Sequence, residues 1–168
     1  MERVIRQINE MQKDGVVLSY AIGGAVAATF YMEPVETADL DIFVALPVTD
    51  SPIITLTSIY EYLSARGHRA QGEHVIVYGI PVQFLATDLL TQEALDQAVQ
   101  RTVGTESTRV MRAEHLAAIM LRLGRPKDRV RLEMLLREAK LDMPFLEELI
   151  HRHGLAQRWI EFKRLLHG

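Results

Sequence analysis

Two nearby stretches decide the fold: Tyr20-Ala-Ile-Gly-Gly-Ala-Val-Ala-Ala-Thr-Phe30 and Thr37-Ala-Asp-Leu-Asp-Ile-Phe-Val44. The apolar run from Val16 to Ile22, which leads into the first stretch, predicts a buried strand. The alanine-rich run from Ala25 to Tyr31 predicts a short helix, which Pro34 ends. The first stretch therefore predicts a strand, a turn and a helix.

Gly23 and Gly24 stand at the turn between this strand and this helix. Backbone N–H groups at the start of a helix can cradle a phosphate, and glycine lets the ligand approach the backbone closely. A diglycine is also found in tight turns that need positive backbone angles and bind nothing. Both interpretations stay open on this feature alone.

Asp39 and Asp41 fall in the second stretch, where Asp39–Leu46 predicts a strand. Side chains two residues apart on a strand share a face, so the two carboxylates lie side by side. Their repulsion is relieved by a cation, and carboxylates in a chain without cysteine favour Mg²⁺ or Mn²⁺. The alternative is an exposed strand end whose acids face water.

The rest of the chain predicts a sheet first and helices second. A cluster of Gly, Ser and Thr at Thr102–Thr108 marks a boundary, beyond which every segment is predicted helical. The fold class is thus α+β: a small mixed β-sheet with flanking helices, followed by a C-terminal helical bundle. We divide it into a core at 1–108 and a helical region at 109–168 packed on that core. The other predicted elements are a helix at 2–13, a loop at Pro47–Pro52 leading to a helix that ends near Arg66, a hairpin of His74–Tyr78 and Val82–Ala86, and a helix at Gln92–Arg101.

Composition and charge narrow the class of protein. With 48% apolar and 24% charged residues the chain is typical of soluble proteins, and a secretory signal, a membrane span and cysteine are absent from the sequence, so we expect a cytoplasmic location without membrane partners. Residues 1–100 hold 5 Lys and Arg against 13 Asp and Glu, whereas residues 101–168 hold 14 against 9. This asymmetry is compatible with a polyanionic ligand and equally with a solvated basic face that has no partner. Lys127 and Arg131, four residues apart on one predicted helix, are candidate phosphate contacts or a solvated basic face.

Together, the two stretches resemble the core motif of polymerase beta-type nucleotidyltransferases. Glu114-His-Leu-Ala-Ala-Ile-Met120 and Arg125-Pro-Lys-Asp-Arg129 look like a second motif of a small bacterial branch that includes AbiEii-type toxins. The resemblance covers roughly residues 16 to 135 and implies a nucleotidyltransferase fold that takes a nucleoside triphosphate.

The same resemblance implies roles for individual residues. Gly23, Gly24 and Thr37 would contact the triphosphate. Asp39 and Asp41 would be catalytic and hold the metal. Lys127 and Asp128 would line the far side of the nucleotide cleft.

One position departs from the family pattern. The branch has Val-Asp-Phe-Leu on the strand after the hairpin, and its Asp is the third catalytic carboxylate, whereas this chain has Val82-Gln-Phe-Leu85. Gln83 therefore occupies a catalytic position but cannot take a proton. Asp88, five residues further on, or Glu73, which precedes the hairpin, could substitute if the chain path brings it to the site. A Lys late in the branch's second motif is likewise replaced near Met120.

Three functions are compatible with these features. The first is transfer of a nucleotidyl group from Mg²⁺-bound triphosphate to a hydroxyl of RNA, protein or a small molecule. The second is a catalytically weakened nucleotide-binding or toxin-antitoxin regulatory protein, with a cognate antitoxin or toxin as partner, which Gln83 favours. The third is an interaction module in which the glycines and acids are only structural.

Overall fold

The computed structural model describes residues 1–48 and 55–167. Fifteen helices and strands follow one another in these ranges. In chain order they are α1 (Glu2–Lys13), β1 (Ser19–Ile22), α2 (Gly24–Ala28), β2 (Leu40–Ala45), α3 (Thr57–Ser64), β3 (Arg69–Gln71), β4 (His74–Val77), β5 (Ile80–Ala86), α4 (Leu89–Asp96), β6 (Val99–Val103), β7 (Glu106–Val110), α5 (Ala113–Leu123), α6 (Pro126–Glu138), α7 (Met143–Arg152) and α8 (Ala156–His167).

The strands form one seven-stranded mixed sheet in the order β3-β4-β5-β2-β1-β7-β6. Strand β2 lies inside the sheet, antiparallel to β1 and parallel to β5. Its side chains alternate between buried and half-buried positions, as expected for a strand whose two faces differ. The predicted α+β class, with a mixed sheet first and helices after it, is confirmed.

The helix predicted at Gln92–Arg101 is confirmed as far as Asp96 and wrong beyond it. Helix α4 ends at Asp96, and β6 begins at Val99 and pairs with β7 as an antiparallel hairpin. The Gly, Ser and Thr residues that suggested a boundary belong to this hairpin, whose turn contains Gly104 at φ +63°. Strand β7 reaches β1 through the pair Ile22 and Val110, so the sheet continues past residue 108.

Two other predictions need comment. The division into 1–108 and 109–168 stays a prediction, although β7 crosses it. Most of the predicted loop Pro47–Pro52 lies outside the described residues.

The short strand β3 was not predicted, because all three of its residues are exposed and it lacks an apolar pattern.

Helix α5 is the centre of the helical layer. All but the last two of its residues are buried, and it contacts α2, α4, α6, α7 and α8. It thus joins the C-terminal helices to α2 and α4, which pack on β1 and β2. Within 1–48 and 55–167, each helix is too short or too polar to span a bilayer.

Candidate active site

A cavity of about 810 Å³ opens between the sheet and helices α5 and α6. This volume is in the range of small-molecule sites. Of the residues singled out from the sequence, Gly23 alone does not line it. The cavity brings together Gly24, Thr37, Asp39, Asp41, Gln83, Lys127, Asp128 and Arg131.

Asp41 is a half-buried carboxylate in the cavity wall. Burial, and after it the charge of Asp39, raise its pKa to about 6 against the opposing charges of Lys127, Arg125 and Arg131. Water and neighbouring groups thus satisfy this anion poorly. A cation at this position would relieve both the burial cost and the repulsion.

Asp39 is held by two neighbours. Nε2 of His74 lies 3.1 Å from its Oδ2, and the Thr37 hydroxyl donates to its Oδ1 at 3.3 Å. The Asp39 side chain is 32% exposed, so the carboxylate also meets solvent. His74 was missed in the sequence because it is the first residue of β4, far along the chain from Asp39.

Gly24 passes directly beside Asp41. It has φ +58°, a conformation that favours glycine, and a β-carbon added to it would overlap Oδ2 of Asp41. The N–H of Gly23 donates to the carbonyl of Asp41 at 2.9 Å, and a β-carbon on Gly23 would overlap the Phe43 ring. The diglycine turn is therefore fitted against β2, with Gly24 on the cavity side and Gly23 against Phe43.

The wall opposite the carboxylates is cationic and belongs mainly to α6. Lys127 is exposed, and Arg131 donates to the carbonyl of Glu36 at 3.1 Å. Arg125 binds Asp128 through two hydrogen bonds, of 2.5 and 3.1 Å. Asp128 is only 3% exposed, so its carboxylate serves Arg125 and is shielded from water.

Gln83 is the register partner of Asp41 on the neighbouring strand β5. Directly opposed residues on adjacent strands point to the same face of a sheet. Its amide donates to Oε2 of Glu73 at 3.3 Å, and Glu73 also lines the cavity. The position at which the family resemblance implies a third carboxylate is therefore occupied by an amide that contacts another carboxylate.

The carboxylates at the cavity fit a divalent ion that is also bound by water and by a substrate phosphate. Within the described ranges, no three His, Cys, Asp or Glu side chains are gathered so as to hold a metal by themselves. Mg²⁺ is commonly bound by one or two carboxylates together with water and substrate phosphates. Asp39 and Asp41 match that pattern, with the remaining ligands left to a phosphate and to water.

Comparison of the sequence with protein-family profiles and with curated proteins finds no match. Solved structures do match the fold. The crystal structure of ANT(2″)-Ia in complex with adenylyl-2″-tobramycin has TM-score 0.56 and 13% identity, over 93% of this chain and 97% of that chain. The solution structure of ANT(2″)-Ia has TM-score 0.57 and 13% identity, over 99% of both chains.

A third similar structure is an antigenic nucleotidyltransferase-like protein from Paracoccidioides brasiliensis, with TM-score 0.53 and 16% identity over 80% of this chain and 73% of that one. At such identities the likeness is one of fold. The chain therefore has the fold of the nucleotidyltransferases, the superfamily that its two deciding stretches resemble.

Proposed function

We propose that this protein binds a metal–nucleoside triphosphate in the cavity and transfers the nucleotidyl group to an acceptor hydroxyl. The observation that carries the proposal is the pairing of two crowded carboxylates, Asp39 and Asp41, with a cationic wall on α6 across one cavity. A triphosphate with a divalent ion carries charges complementary to both walls.

The proposed reaction has a simple balance. The acceptor hydroxyl gives up its proton to a base at the site or to water, and its oxygen forms a bond to the α-phosphorus. The bond from that phosphorus to the bridging oxygen breaks, and pyrophosphate leaves with the electron pair. Lys127 and Arg131 would hold the phosphates, and Gly24 would leave room for them beside β2. A divalent ion at Asp39 and Asp41, Mg²⁺ or Mn²⁺, would supply charge neutralisation.

A second candidate is a nucleotide-binding protein of weakened activity, including a regulator or toxin of a toxin-antitoxin pair as in the AbiEii-type branch. Gln83 is the observation that favours it, since this side chain beside Asp41 cannot accept a proton. Such a protein would bind metal–triphosphate but release no pyrophosphate.

Thermal unfolding with each of four nucleoside triphosphates, with and without Mg²⁺ or Mn²⁺, tests binding. A ligand at one hundred times its Kd adds about 2.7 kcal/mol to the free energy of unfolding. We expect a rise in Tm that needs both metal and triphosphate, and that Lys127→Ala reduces. Arg137→Ala, at the far end of α6 in an exposed ion pair with Glu138, is the matched control and leaves the rise unchanged.

Pyrophosphate release with an acceptor panel then separates the candidates. A protein that shows no Tm rise with any metal–triphosphate pair contradicts both candidates and leaves the interaction module. Binding without pyrophosphate release, with tobramycin, a short RNA or the protein itself as acceptor, selects the second candidate.

A further inference from the structure

The cavity contains a carboxylate that the family pattern does not provide. Glu73 lies in the two-residue turn between β3 and β4, preceded by Gly72 at φ +61°. That turn is tied to α3, where the Tyr60 hydroxyl donates to the Glu73 carbonyl at 3.4 Å. The backbone of Glu73 is thus anchored while its side chain faces the cavity.

Gln83 connects this carboxylate to the pair of aspartates. Its Cα is opposite that of Asp41, and adjacent strands lie about 4.8 Å apart. From this position the Gln83 amide extends to Oε2 of Glu73 at 3.3 Å. The side chains of Asp41, Gln83 and Glu73 therefore form one row along the cavity wall.

Two other acids at the cavity, Asp88 and Asp128, are already engaged. Asp88 caps α4 by accepting from Thr91 N–H at 3.0 Å and pairs with Arg122 at 2.9 Å. Asp128 is paired with Arg125. Each of these two carboxylates contacts a guanidinium, whereas the hydrogen bond of Glu73 comes from a neutral amide.

We propose that Glu73 is the third catalytic carboxylate of this site, supplied by the β3–β4 turn and oriented by Gln83, and that it accepts the proton of the acceptor hydroxyl. The assignment rests on the proposed function. In the step, the acceptor O–H bond breaks and its proton goes to the Glu73 carboxylate. The freed oxygen pair forms the new bond to the α-phosphorus as pyrophosphate leaves.

The test compares Glu73→Gln with Glu36→Gln, a second exposed glutamate on the cavity wall. Gln is isosteric with Glu, so both variants should unfold at the parent's Tm. We expect Glu73→Gln to lower the pyrophosphate-release rate by about a hundredfold to ten-thousandfold, as loss of a general base does. The Kd for Mn²⁺–ATP, measured by calorimetry, should stay within about threefold of the parent's, since the effect lies in proton transfer and not in binding. Glu36→Gln should change neither quantity.

A rescue variant makes the assignment sharper. Glu73→Gln/Gln83→Asp moves a carboxylate onto β5 beside Asp41. We expect this double variant to release pyrophosphate at least about ten times faster than Glu73→Gln does. A Glu73→Gln rate within twofold of an active parent's, or a double variant no faster than Glu73→Gln, overturns the role of Glu73 and leaves the transferase function standing. A parent that binds Mn²⁺–ATP but releases no pyrophosphate overturns the transferase function itself and this role with it.

Discussion

The backbone of Gly24 lies against the carboxylate of Asp41 so closely that a β-carbon on Gly24 would overlap Oδ2. Asp41 is one of the two proposed metal-binding acids, and Gly24 is at φ +58°. Glycine is therefore required here for two separate reasons: the left-handed backbone conformation and the lack of space for a β-carbon.

Gly24→Ala should accordingly destabilise the protein and abolish metal–triphosphate binding. We expect about 2 kcal/mol or more of lost unfolding free energy, from the left-handed backbone and from the displaced Asp41 side chain together. Gly154→Ala is the control, because Gly154 has φ +68° and open space around its α-carbon. It should cost about 1 kcal/mol and leave triphosphate binding intact, as urea unfolding and calorimetry would show. Equal effects of both changes on binding would contradict the close approach.

Much of this site could be predicted from the sequence, because the residues concerned are close together in the chain. The strand-turn-helix around the diglycine and the spacing of Asp39 and Asp41 follow from short-range patterns, and the structure brings them into one cavity. Only the family resemblance predicts that Lys127 lies at the same cavity, because its charge is equally compatible with a solvated basic face.

The features that the sequence could not place depend on contacts between distant segments. Strand β7 joins the sheet through β1, some ninety positions earlier, and the middle residues of β6, from Gln100 to Thr102, are all polar. Neither strand therefore has the apolar run that marks a buried strand. His74 and Glu73 reach the cavity through the pairing of β4 with β5. Their chemistry was visible in the sequence, but their location followed from strand register.

Asp41→Asn should abolish metal–triphosphate binding while stabilising the protein without metal. The carboxylate is desolvated and faces a second anion, which is why its pKa is raised. Removing the charge should add on the order of 1 kcal/mol, a Tm rise of about 2–4 °C for a chain of this length. Differential scanning calorimetry with and without Mg²⁺ measures both effects.

The control for this change is Asp96→Asn, at the exposed C-terminal end of α4. It should leave both the Tm and the triphosphate-dependent shift of Tm as in the parent. An Asp41→Asn protein that unfolds at a lower Tm than the parent would mean that the carboxylate makes a structural contribution and is not held at a cost for a ligand.

His115 should make stability depend on pH outside the active site. It is fully buried in α5, has no hydrogen-bond partner at either ring nitrogen within the described residues, and packs edge-on against Phe145. Burial lowers its pKa, and Oε1 of Glu93, 3.6 Å from Nε2, offsets this only in part. Glu93 is itself bound by Arg152 and His153, and Arg112 adds a further positive charge.

The sign follows from proton binding. Below the ordinary histidine pKa of about 6.5 the unfolded chain binds a proton at this residue that the folded protein does not. The free energy of unfolding should therefore fall as the pH drops below 6.5, by up to about 1.4 kcal/mol per pH unit, until the lower folded pKa is reached. Above pH 6.5 the residue contributes no pH dependence.

Urea unfolding of the parent, His115→Leu and His151→Leu at pH 5.5, 6.5 and 8 tests this dependence. His115→Leu should remove this part of the acid-side slope, whereas His151→Leu, at an exposed position of α7, should keep the parent's slope. His68, whose pKa burial also lowers, contributes to the slope that remains. A His115→Leu slope equal to the parent's would assign the pH dependence to other groups.

Asp128 should act on the nucleotide through Arg125 and not by direct contact. Its two oxygens bind the Arg125 guanidinium, which is 52% exposed and borders the cavity. Asp128→Asn should cost about 1–2 kcal/mol of stability, less than the 3–5 kcal/mol of a fully buried pair, because the exposed guanidinium regains water. It should also weaken Mn²⁺–ATP binding, because Arg125 loses its fixed orientation.

A double-mutant cycle with Arg125→Ala tests this indirect role. The two losses of binding free energy should not be additive, so the double variant should bind Mn²⁺–ATP no worse than Arg125→Ala alone. Additive losses would show instead that Asp128 contacts the nucleotide itself, as the family resemblance implies.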